Sequence, residues 1–312
     1  MIKVQESTMR KTWVVCLLAM VCCMLWGSAF PCIKVGYRLF RVDQADTAAQ
    51  ILFAGCRFSL AGILVILFGS ILQGRFLKPC RTAIPKIMKI SLLQTVLQYF
   101  FFYVGLAHTT GVKGSIIEAS NVFLSILVSS LIFRMEKLDG KKIIGCIVGF
   151  VGVVLINLSG SDVSMSLNLL GDGFVFLSAL AYAFSSVMIK RYSQTEDPVM
   201  LSGYQFLLGG LIMIAGAFAA GGRLTVISLS GALLLLYMAM ISAVAYTLWG
   251  ILLKYNPVSK VSIFGFSNPV FGVILSAFIL GEGSAFGISG AVALVLVCAG
   301  ICIVNWAKPE KN

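Results

Sequence analysis

The sequence predicts an all-α membrane protein of ten transmembrane helices, built from two inverted five-helix repeats with both termini in the cytoplasm. Three observations predict this fold: the apolar composition, a duplication within the chain, and the distribution of basic residues. Of the 312 residues, 59% are hydrophobic and only 12% are charged. A chain with so few charged side chains cannot cover the surface of a water-soluble domain.

Apolar runs long enough to cross a membrane recur along the whole chain. A helix of about 20 apolar residues spans the hydrocarbon core of a bilayer, which is about 30 Å thick. Such runs are predicted at 13–33, 49–72, 87–107, 112–133, 143–158, 170–189, 199–220, 231–253, 261–280 and 286–306. The loops between these runs are short, so we expect the function to lie within the helical bundle.

The second half of the chain repeats the first at a constant offset of 147 positions. Without a gap, Tyr99, Lys113, Ser115, Ile116, Ser120, Asn121, Ser129 and Ile132 correspond to Tyr246, Lys260, Ser262, Ile263, Ser267, Asn268, Ser276 and Ile279. We therefore expect two domains, 1–158 and 159–312, with five spans each. Because five is an odd number, the second copy must lie upside down in the bilayer.

The formal charge of +12 is explained by membrane topology rather than by nucleic-acid binding. With the amino terminus in the cytoplasm, the predicted cytoplasmic segments hold 17 lysines and arginines and the opposite face holds five. This excess agrees with the positive-inside rule. The lipid bilayer is therefore the expected partner of the basic residues, and no nucleic acid is expected.

Small and polar residues form one face of the fourth predicted helix, and the ninth helix has a similar face. Asn121 and Asn268 are equivalent in the repeat. From the helical rise, Asn121 lies about 14 Å from one surface and Asn268 about 11 Å from the other, so both approach the midplane. Two roles remain open for these amides: lining a polar site, or joining two central helices by hydrogen bonds.

Two ionisable residues are predicted within the membrane. Glu118 lies about 9 Å from the surface by helical rise, and its repeat equivalent is Gly265. It is a candidate to bind a substrate amine or a coupled proton, or to pair with Arg57 or Lys89. Arg57 is a candidate to bind a substrate carboxylate, or to act as a structural anchor for helix-end carbonyls or for Glu118.

A second candidate group lies on the third and eighth helices. Gln94 and Gln98 are four residues apart, which places them on one face of a helix. Tyr99 and Tyr246 are equivalent in the repeat, and Trp249 follows Tyr246 by less than one turn. A few amides among aromatic rings are typical of a pocket for a partly apolar solute. The alternative is that these rings only pack or face lipid.

These motifs together resemble the EamA-type domain, which defines the ten-helix branch of the drug/metabolite transporter superfamily. The resemblance lies in Ser267-Asn268-Pro269-Val270, in Leu280-Gly281-Glu282 and Ala299-Gly300-Ile301, in Trp26-Gly27-Ser28-Ala29-Phe30 with Lys34, and in Arg57. It covers essentially the whole chain and implies transport of small metabolites, often export of amino acids or related compounds.

The chain departs from the family pattern at one position of interest. Val122 stands where the second copy has Pro269, so the two central helices are not expected to bend equally. Glu136 and Glu282 end the fourth and ninth helices, and each is predicted to favour the positive amino end of the helix that follows it. Gly145, Gly149 and Gly152 are predicted to pack closely, either within the bundle or against another protomer.

The sequence therefore predicts a secondary transporter of the cell membrane that moves a small-molecule substrate by alternating access around a midplane site. The alternative is a membrane scaffold or receptor that transports nothing. Nine cysteines and one histidine give no metal-ligand spacing, so neither a cofactor nor an enzyme is expected. The sequence does not determine the solute, the coupling ion, the direction of transport or the oligomeric state.

Overall fold

A computed structural model of the chain describes residues 2–43, 45–109, 111–158, 168–226, 228–280 and 288–305, and within these ranges every regular element is a helix. Gly281 and Glu282, which belong to the motif described above, lie outside the described residues.

Nine helices of the described part are long and apolar enough to cross a bilayer. They are α1 Thr12–Phe40, α2 Thr47–Gln73, α3 Ile84–Leu106, α4 Lys113–Ile132, α5 Gly140–Leu158, α6 Leu169–Tyr192, α7 Pro198–Ala219, α8 Leu229–Tyr255 and α9, Val258–Leu275. A further apolar helix, α10, comprises Ile288–Asn305, and a short amino-terminal helix, Ile2–Arg10, precedes α1. These nine helices match nine of the predicted spans, and a tenth span through α10 stays a prediction.

The two central helices, α4 and α9, differ in regularity, as expected because only α9 contains a proline. Helix α4 is α-helical without interruption over Gly111–Leu127. Helix α9 begins as an α-helix over Val258–Ser262, tightens to a 3-10 turn over Ile263–Phe266, and continues as an α-helix over Ser267–Leu280. Pro269 has no N–H to donate to the preceding turn, which accounts for the irregular segment on its amino-terminal side.

The closest packing in the bundle joins α2 to α7. A Cβ atom on Gly62 would lie 2.4 Å from the backbone nitrogen of Leu207, and one on Gly210 would lie 2.5 Å from the backbone nitrogen of Ser59. Glycine is therefore needed at both positions for the two backbones to approach so closely. Residues later in α2 contact residues earlier in α7, so the two helices run antiparallel.

Helices α5 and α10 form a similar pair. A Cβ atom on Gly145 would lie 2.8 Å from the carbonyl oxygen of Gly300, and one on Gly152 would lie 2.8 Å from the carbonyl oxygen of Ala293. Of the two predicted packing arrangements for the glycines of α5, the structure therefore has the one within the bundle.

The remaining contacts between helices follow the same pattern in both halves of the chain. Helix α1 packs against α8 and α9, and its counterpart α6 packs against α3 and α4. Likewise α2 packs against α8, while α7 packs against α3. Each helix and its counterpart thus pack against corresponding helices of the opposite half, so the central contact surfaces come from both halves.

Candidate functional site

The hydroxyl groups of Tyr99 and Tyr246 form a hydrogen bond with an O–O distance of 2.9 Å. Tyr99 is on α3 and Tyr246 is on α8, and the two residues are separated by the repeat offset of 147 positions. If the two predicted repeats are related by a two-fold axis, equivalent residues touch only where that axis passes between them. The tyrosine pair thus joins α3 to α8 at positions that the sequence repeat makes equivalent.

Aromatic rings surround the tyrosine pair. The ring of Trp26 meets Tyr246 and Trp249 edge to face, with centroid distances of 4.9 and 5.0 Å. Phe58 and Phe206 stack on each other at 5.4 Å and contact Tyr99 and Tyr246, at 4.4 and 4.9 Å respectively. The structure thus joins three predicted residues, Tyr99, Tyr246 and Trp249, in one aromatic cluster.

The sequence analysis did not identify Phe58 and Phe206 as part of this cluster. Phenylalanine is common in apolar helices, and neither ring carries a polar atom. One signal was present, because Phe58 and Phe206 are related by an offset of 148 positions, which also relates Gly62 to Gly210.

Arg57 is buried, with 3% of its surface exposed, and it joins α2 to α8. Its Nε donates to the carbonyl oxygen of Met238 at 3.2 Å and to Oγ of Ser242 at 3.0 Å. Its guanidinium carbon also lies 5.3 Å from the centre of the Phe58 ring, within the range of a cation–π contact. These contacts favour the structural anchor over the carboxylate-binding role, and the carbonyl used lies within α8 rather than at a helix end.

Gln205 of α7 occupies the position equivalent to Arg57 and makes equivalent contacts. Thr95 Oγ1 donates to the side-chain oxygen of Gln205 at 2.9 Å, and Ser91 Oγ donates to its carbonyl oxygen at 3.0 Å. Ser91 and Thr95 precede Met238 and Ser242 by 147 positions. The two positions therefore contact equivalent residues through different atoms, since Arg57 donates from its side chain and Gln205 accepts at its side-chain and backbone oxygens, and only Arg57 carries a charge.

Glu118 lies on α4 with Asn121 and Ser178 as polar neighbours. Its Oε2 atom is buried and has no hydrogen-bond partner among the described residues. The carboxylate is close enough to the hydroxyl groups of Tyr182 and Tyr246 to interact with them electrostatically. Glu118 is therefore near the aromatic cluster, where Arg57 also interacts electrostatically with Tyr99 and Tyr246.

The proposed pairing of Glu118 with a basic residue is not found within the described ranges. Arg57 donates to α8, and Lys89 is exposed. A carboxylate at this depth remains costly without a partner, so its charge is available for a solute or a proton.

The amides of the predicted site have unsatisfied acceptors. Gln94 and Gln98 are 1% and 6% exposed, and the side-chain oxygen of each is buried without a partner among the described residues. The side-chain oxygen of Asn268 is likewise buried without a hydrogen-bond partner among the described residues. Gln94 lies in a π-helical turn, Ser91–Leu97, a distortion that is frequent at functional sites. Buried acceptors of this kind usually have a hydrogen-bond partner, which a bound solute can supply.

The two central helices meet beside the asparagines. A Cβ atom on Gly265 would lie 2.9 Å from Val122 and 3.9 Å from the side-chain oxygen of Asn121. Asn121 and Asn268 are both partly exposed, although each is followed by a buried residue. Their partial exposure is compatible with lining a polar site, and no asparagine–asparagine hydrogen bond joins them among the described contacts.

A cluster of polar contacts closes the end of the bundle that holds the amino terminus. Glu136 accepts hydrogen bonds from Ser129 Oγ at 2.8 Å, from Lys142 Nζ at 2.9 Å and from the backbone nitrogen of Ser259 at 3.1 Å, and it also accepts one from Ser259 Oγ. Lys142 lies in the first turn of α5, so Glu136 is close to the amino end of the next helix, and its predicted interaction with that helix end stays a prediction. Glu136 also contacts the amino end of α9, because the fold brings this distant segment beside the end of α4.

The opposite end has its own contacts between α4 and α6. Thr109 Oγ1 donates to Asp172 Oδ1 at 2.5 Å, and Lys113 forms an ion pair with the same carboxylate at 3.4 Å. Asn168 donates to the carbonyl oxygen of His108 at 2.9 Å. Polar contacts between the halves therefore occur at both ends of the bundle, above and below the aromatic cluster.

No group of three potential metal ligands occurs in the part of the chain that the structure describes. The predicted site residues are instead aromatic rings, amides and one carboxylate, a composition suited to a small organic solute.

Comparison with known proteins agrees with this arrangement. The model of the EamA-like transporter family matches residues 13–158 and 169–306. An uncharacterized transporter of Archaeoglobus fulgidus is 25% identical over 94% of this chain and 98% of its own length. The inner membrane transporter YedA of Escherichia coli K12, also described as uncharacterized, is 26% identical over 83% of this chain and 80% of its own. A solved crystal structure has the same fold, with a TM-score of 0.76 and 15% identity over 94% of this chain and 96% of that one. With both matched segments together covering nearly its whole length, the chain belongs to the EamA-like transporter family, within the drug/metabolite transporter superfamily.

Proposed function

We propose that this transporter moves a small metabolite, an amino acid or a related compound, across the cell membrane by alternating access around the aromatic cluster. The observation that carries the proposal is the contact between Tyr99 and Tyr246. A site built on the contact between equivalent residues belongs equally to both halves, so a rocking motion of the halves exposes it to either side in turn.

The halves in this proposal are the two predicted repeats, 1–158 and 159–312. The antiparallel contact of α2 with α7 supports their inverted relation, since these helices are the second spans of the two repeats. The interchangeable packing partners of the helices support it too. The polar contacts of Glu136 and of Asp172 would then alternate, one set opening while the other closes.

Glu118 has one of two roles in this mechanism. It holds a cationic group of the solute, or it carries a proton whose gradient drives transport. Asn121, Asn268, Gln94 and Gln98 supply hydrogen bonds in either case. The direction that the family implies is export, and a coupled carrier follows its driving gradients.

Transport by the purified chain in proteoliposomes tests the proposal. A panel of amino acids, organic amines and nucleosides is offered with and without a proton gradient, and uptake is compared with that of empty liposomes. We expect at least one class of solute to accumulate. If none moves faster than in empty liposomes, the transporter proposal fails and the scaffold alternative gains support.

A matched pair of variants tests the role of Glu118. Glu118→Gln removes the charge at the site, and Glu6→Gln makes the same change at an exposed residue paired with Arg10. We expect transport to be lost in the first variant and retained in the second, with both proteins inserted in the membrane. Full transport by Glu118→Gln would remove this residue from the mechanism.

A further inference from the structure

We infer that the amino-terminal helix, Ile2–Arg10, is a latch that holds the adjacent end of the transporter closed. This inference rests on the alternating access proposed above and identifies contacts that control it. Two observations carry it. Hydrogen bonds join this helix to the turn between α8 and α9, and a matching set of contacts occurs at the opposite end of the bundle.

The carboxyl end of the amino-terminal helix binds to the turn between α8 and α9. Asn256 Nδ2 donates to the carbonyl oxygen of Met9 at 2.9 Å, and Lys260 Nζ donates to the carbonyl oxygen of Arg10 at 3.1 Å. The last carbonyl groups of a helix have no partner within it, and the negative end of the helix dipole favours a nearby lysine. The turn therefore supplies the donors that this helix end lacks.

The same turn makes the contact with Glu136 that closes this end of the bundle. Ser259 lies between Asn256 and Lys260, and its backbone N–H donates to Glu136 at 3.1 Å. Glu136 also forms an ion pair with Lys142 at the start of α5. When α9 moves away from Glu136, the turn moves with it, so the bonds to the amino-terminal helix must break or the helix must follow.

The amino-terminal helix is held too closely to α1 to follow the turn far. One residue, Lys11, separates it from α1, which begins at Thr12. The backbone of Lys11 is extended, and its N–H donates to the carbonyl oxygen of Thr8 at 3.1 Å. Because α1 belongs to the first half and the turn to the second, the contacts of Met9 and Arg10 join the two halves.

The opposite end of the bundle has a matching pair of donors. Thr109 and Lys113 both bind Asp172 in the first turn of α6. The repeat offset of 147 positions relates these two donors to Asn256 and Lys260. Helices α1 and α6 are the first spans of the two predicted repeats. At each end, therefore, the same two positions of one repeat bind the segment where the first helix of the other repeat begins.

The acceptors at the two ends differ in how they can be released. Asp172 is part of the span α6, so it moves only with that helix. The carbonyl groups of Met9 and Arg10 belong to a separate helix of nine residues. Isolated helices of this length are marginally stable in water. Undocking or unfolding of the latch thus weakens the closed state at this end without displacing a membrane span.

Three substitutions release the latch at different points. Ser7→Pro interrupts the amino-terminal helix, and Ser7→Ala is its control. Asn256→Ala and Lys260→Met remove the two donors, and Lys89→Met makes the second change at an exposed lysine of α3. Ser7 is exposed and Lys260 is partly exposed, so these two variants keep the test valid even if Asn256→Ala does not fold.

Hydrogen–deuterium exchange of the purified full chain measures the effect of each substitution. The amide of Ser259 reports on this end of the bundle, because it donates to Glu136. In each latch variant we expect this amide to exchange about 3- to 10-fold faster than in the wild type, the ratio that corresponds to one lost hydrogen bond. Ser7→Ala and Lys89→Met should exchange as the wild type does.

The Ser7→Pro protein separates a latch from a helix that is merely attached to the bundle. A merely attached helix would exchange faster at its own amides and leave Ser259 unchanged, and that result would overturn the inference. Equal exchange at Ser259 in Lys260→Met and Lys89→Met would overturn it too. Failure of the transporter proposal gives a different result, since no solute class then moves in proteoliposomes even if the latch variants change the exchange of Ser259.

Discussion

Replacement of Gly62 by alanine tests the close contact on which the central packing depends. The new Cβ atom would lie 2.4 Å from the backbone nitrogen of Leu207 and 2.7 Å from the carbonyl oxygen of Gly203. Both atoms belong to the backbone of α7, which cannot turn aside as a side chain can. The two helices must therefore separate, and the aromatic residues beside them must shift.

The size of the effect follows from two opposing terms. A methyl group forced into a well-packed core costs about 1–3 kcal/mol. Alanine favours the helix over glycine by about 1 kcal/mol. A control on α7 separates the terms, because a Cβ atom on Gly216 would meet nothing within 4 Å. The helix term is common to both variants, so Gly62→Ala should be less stable than Gly216→Ala by about 1–3 kcal/mol.

Reversible unfolding in mixed detergent micelles gives the free energy of unfolding of each variant. Gly210→Ala provides a further check, because its Cβ atom would lie 2.5 Å from the backbone nitrogen of Ser59. If Gly62 and Gly210 are equivalent, their alanine variants lose similar stability. Equal stability of Gly62→Ala and Gly216→Ala would refute the proposed close contact of α2 with α7.

Three further predictions concern single hydrogen-bonded groups. Tyr99→Phe should lower the free energy of unfolding by about 0.5–1.5 kcal/mol. Adding Tyr246→Phe to this variant should lower it little further. Additive losses in a double-mutant cycle would show that the two hydroxyl groups do not interact. Glu136→Gln should cost about 3 kcal/mol, since it leaves the Lys142 charge without its partner; an unchanged unfolding free energy would contradict this role. Arg57→Lys should lower the yield of monodisperse protein in size-exclusion chromatography, because an ammonium group does not reproduce the guanidinium geometry; a wild-type yield would count against the anchor.

The positions of the helices along the chain could be predicted from the sequence, because they depend on local composition. Length and apolarity alone define nine of the helices, and the proline at 269 explains why α9 is irregular over Ile263–Phe266, whereas the irregular part of α4 is the π-helical turn Val128–Ile132 at its end. The π-helical turn Ser91–Leu97 had no such signal. Its residues are ordinary helix formers, and its contacts are with α7, so tertiary packing rather than propensity governs it.

Site residues at equivalent positions of the repeat could be predicted from the sequence. Contacts between residues far apart in the sequence could not. Tyr99 and Tyr246 followed from the offset, and the structure brings their hydroxyl groups together. The partner of Glu136 did not follow, because Ser259 is 123 positions away and nothing in either segment specifies the pair. Short-range rules such as the helix dipole favour the neighbouring helix α5, where Glu136 contacts Lys142, and they do not predict the additional contact with α9.

The two halves are most informative where they differ. Packing residues are retained in both, such as Gly62 with Gly210 and Phe58 with Phe206, because an interface that joins equivalent helices constrains both copies. A solute, unlike the bundle, has no such symmetry, so the groups that orient it must occur once. Glu118 satisfies this condition, since its equivalent is glycine and its Oε2 is unpaired among the described residues. Arg57 also occurs once, but Gln205 makes matching contacts in the other half, so its position belongs to the framework. Comparing the repeats therefore distinguishes candidates for solute selection from residues that hold the helices, and under the proposed function Glu118 is such a candidate.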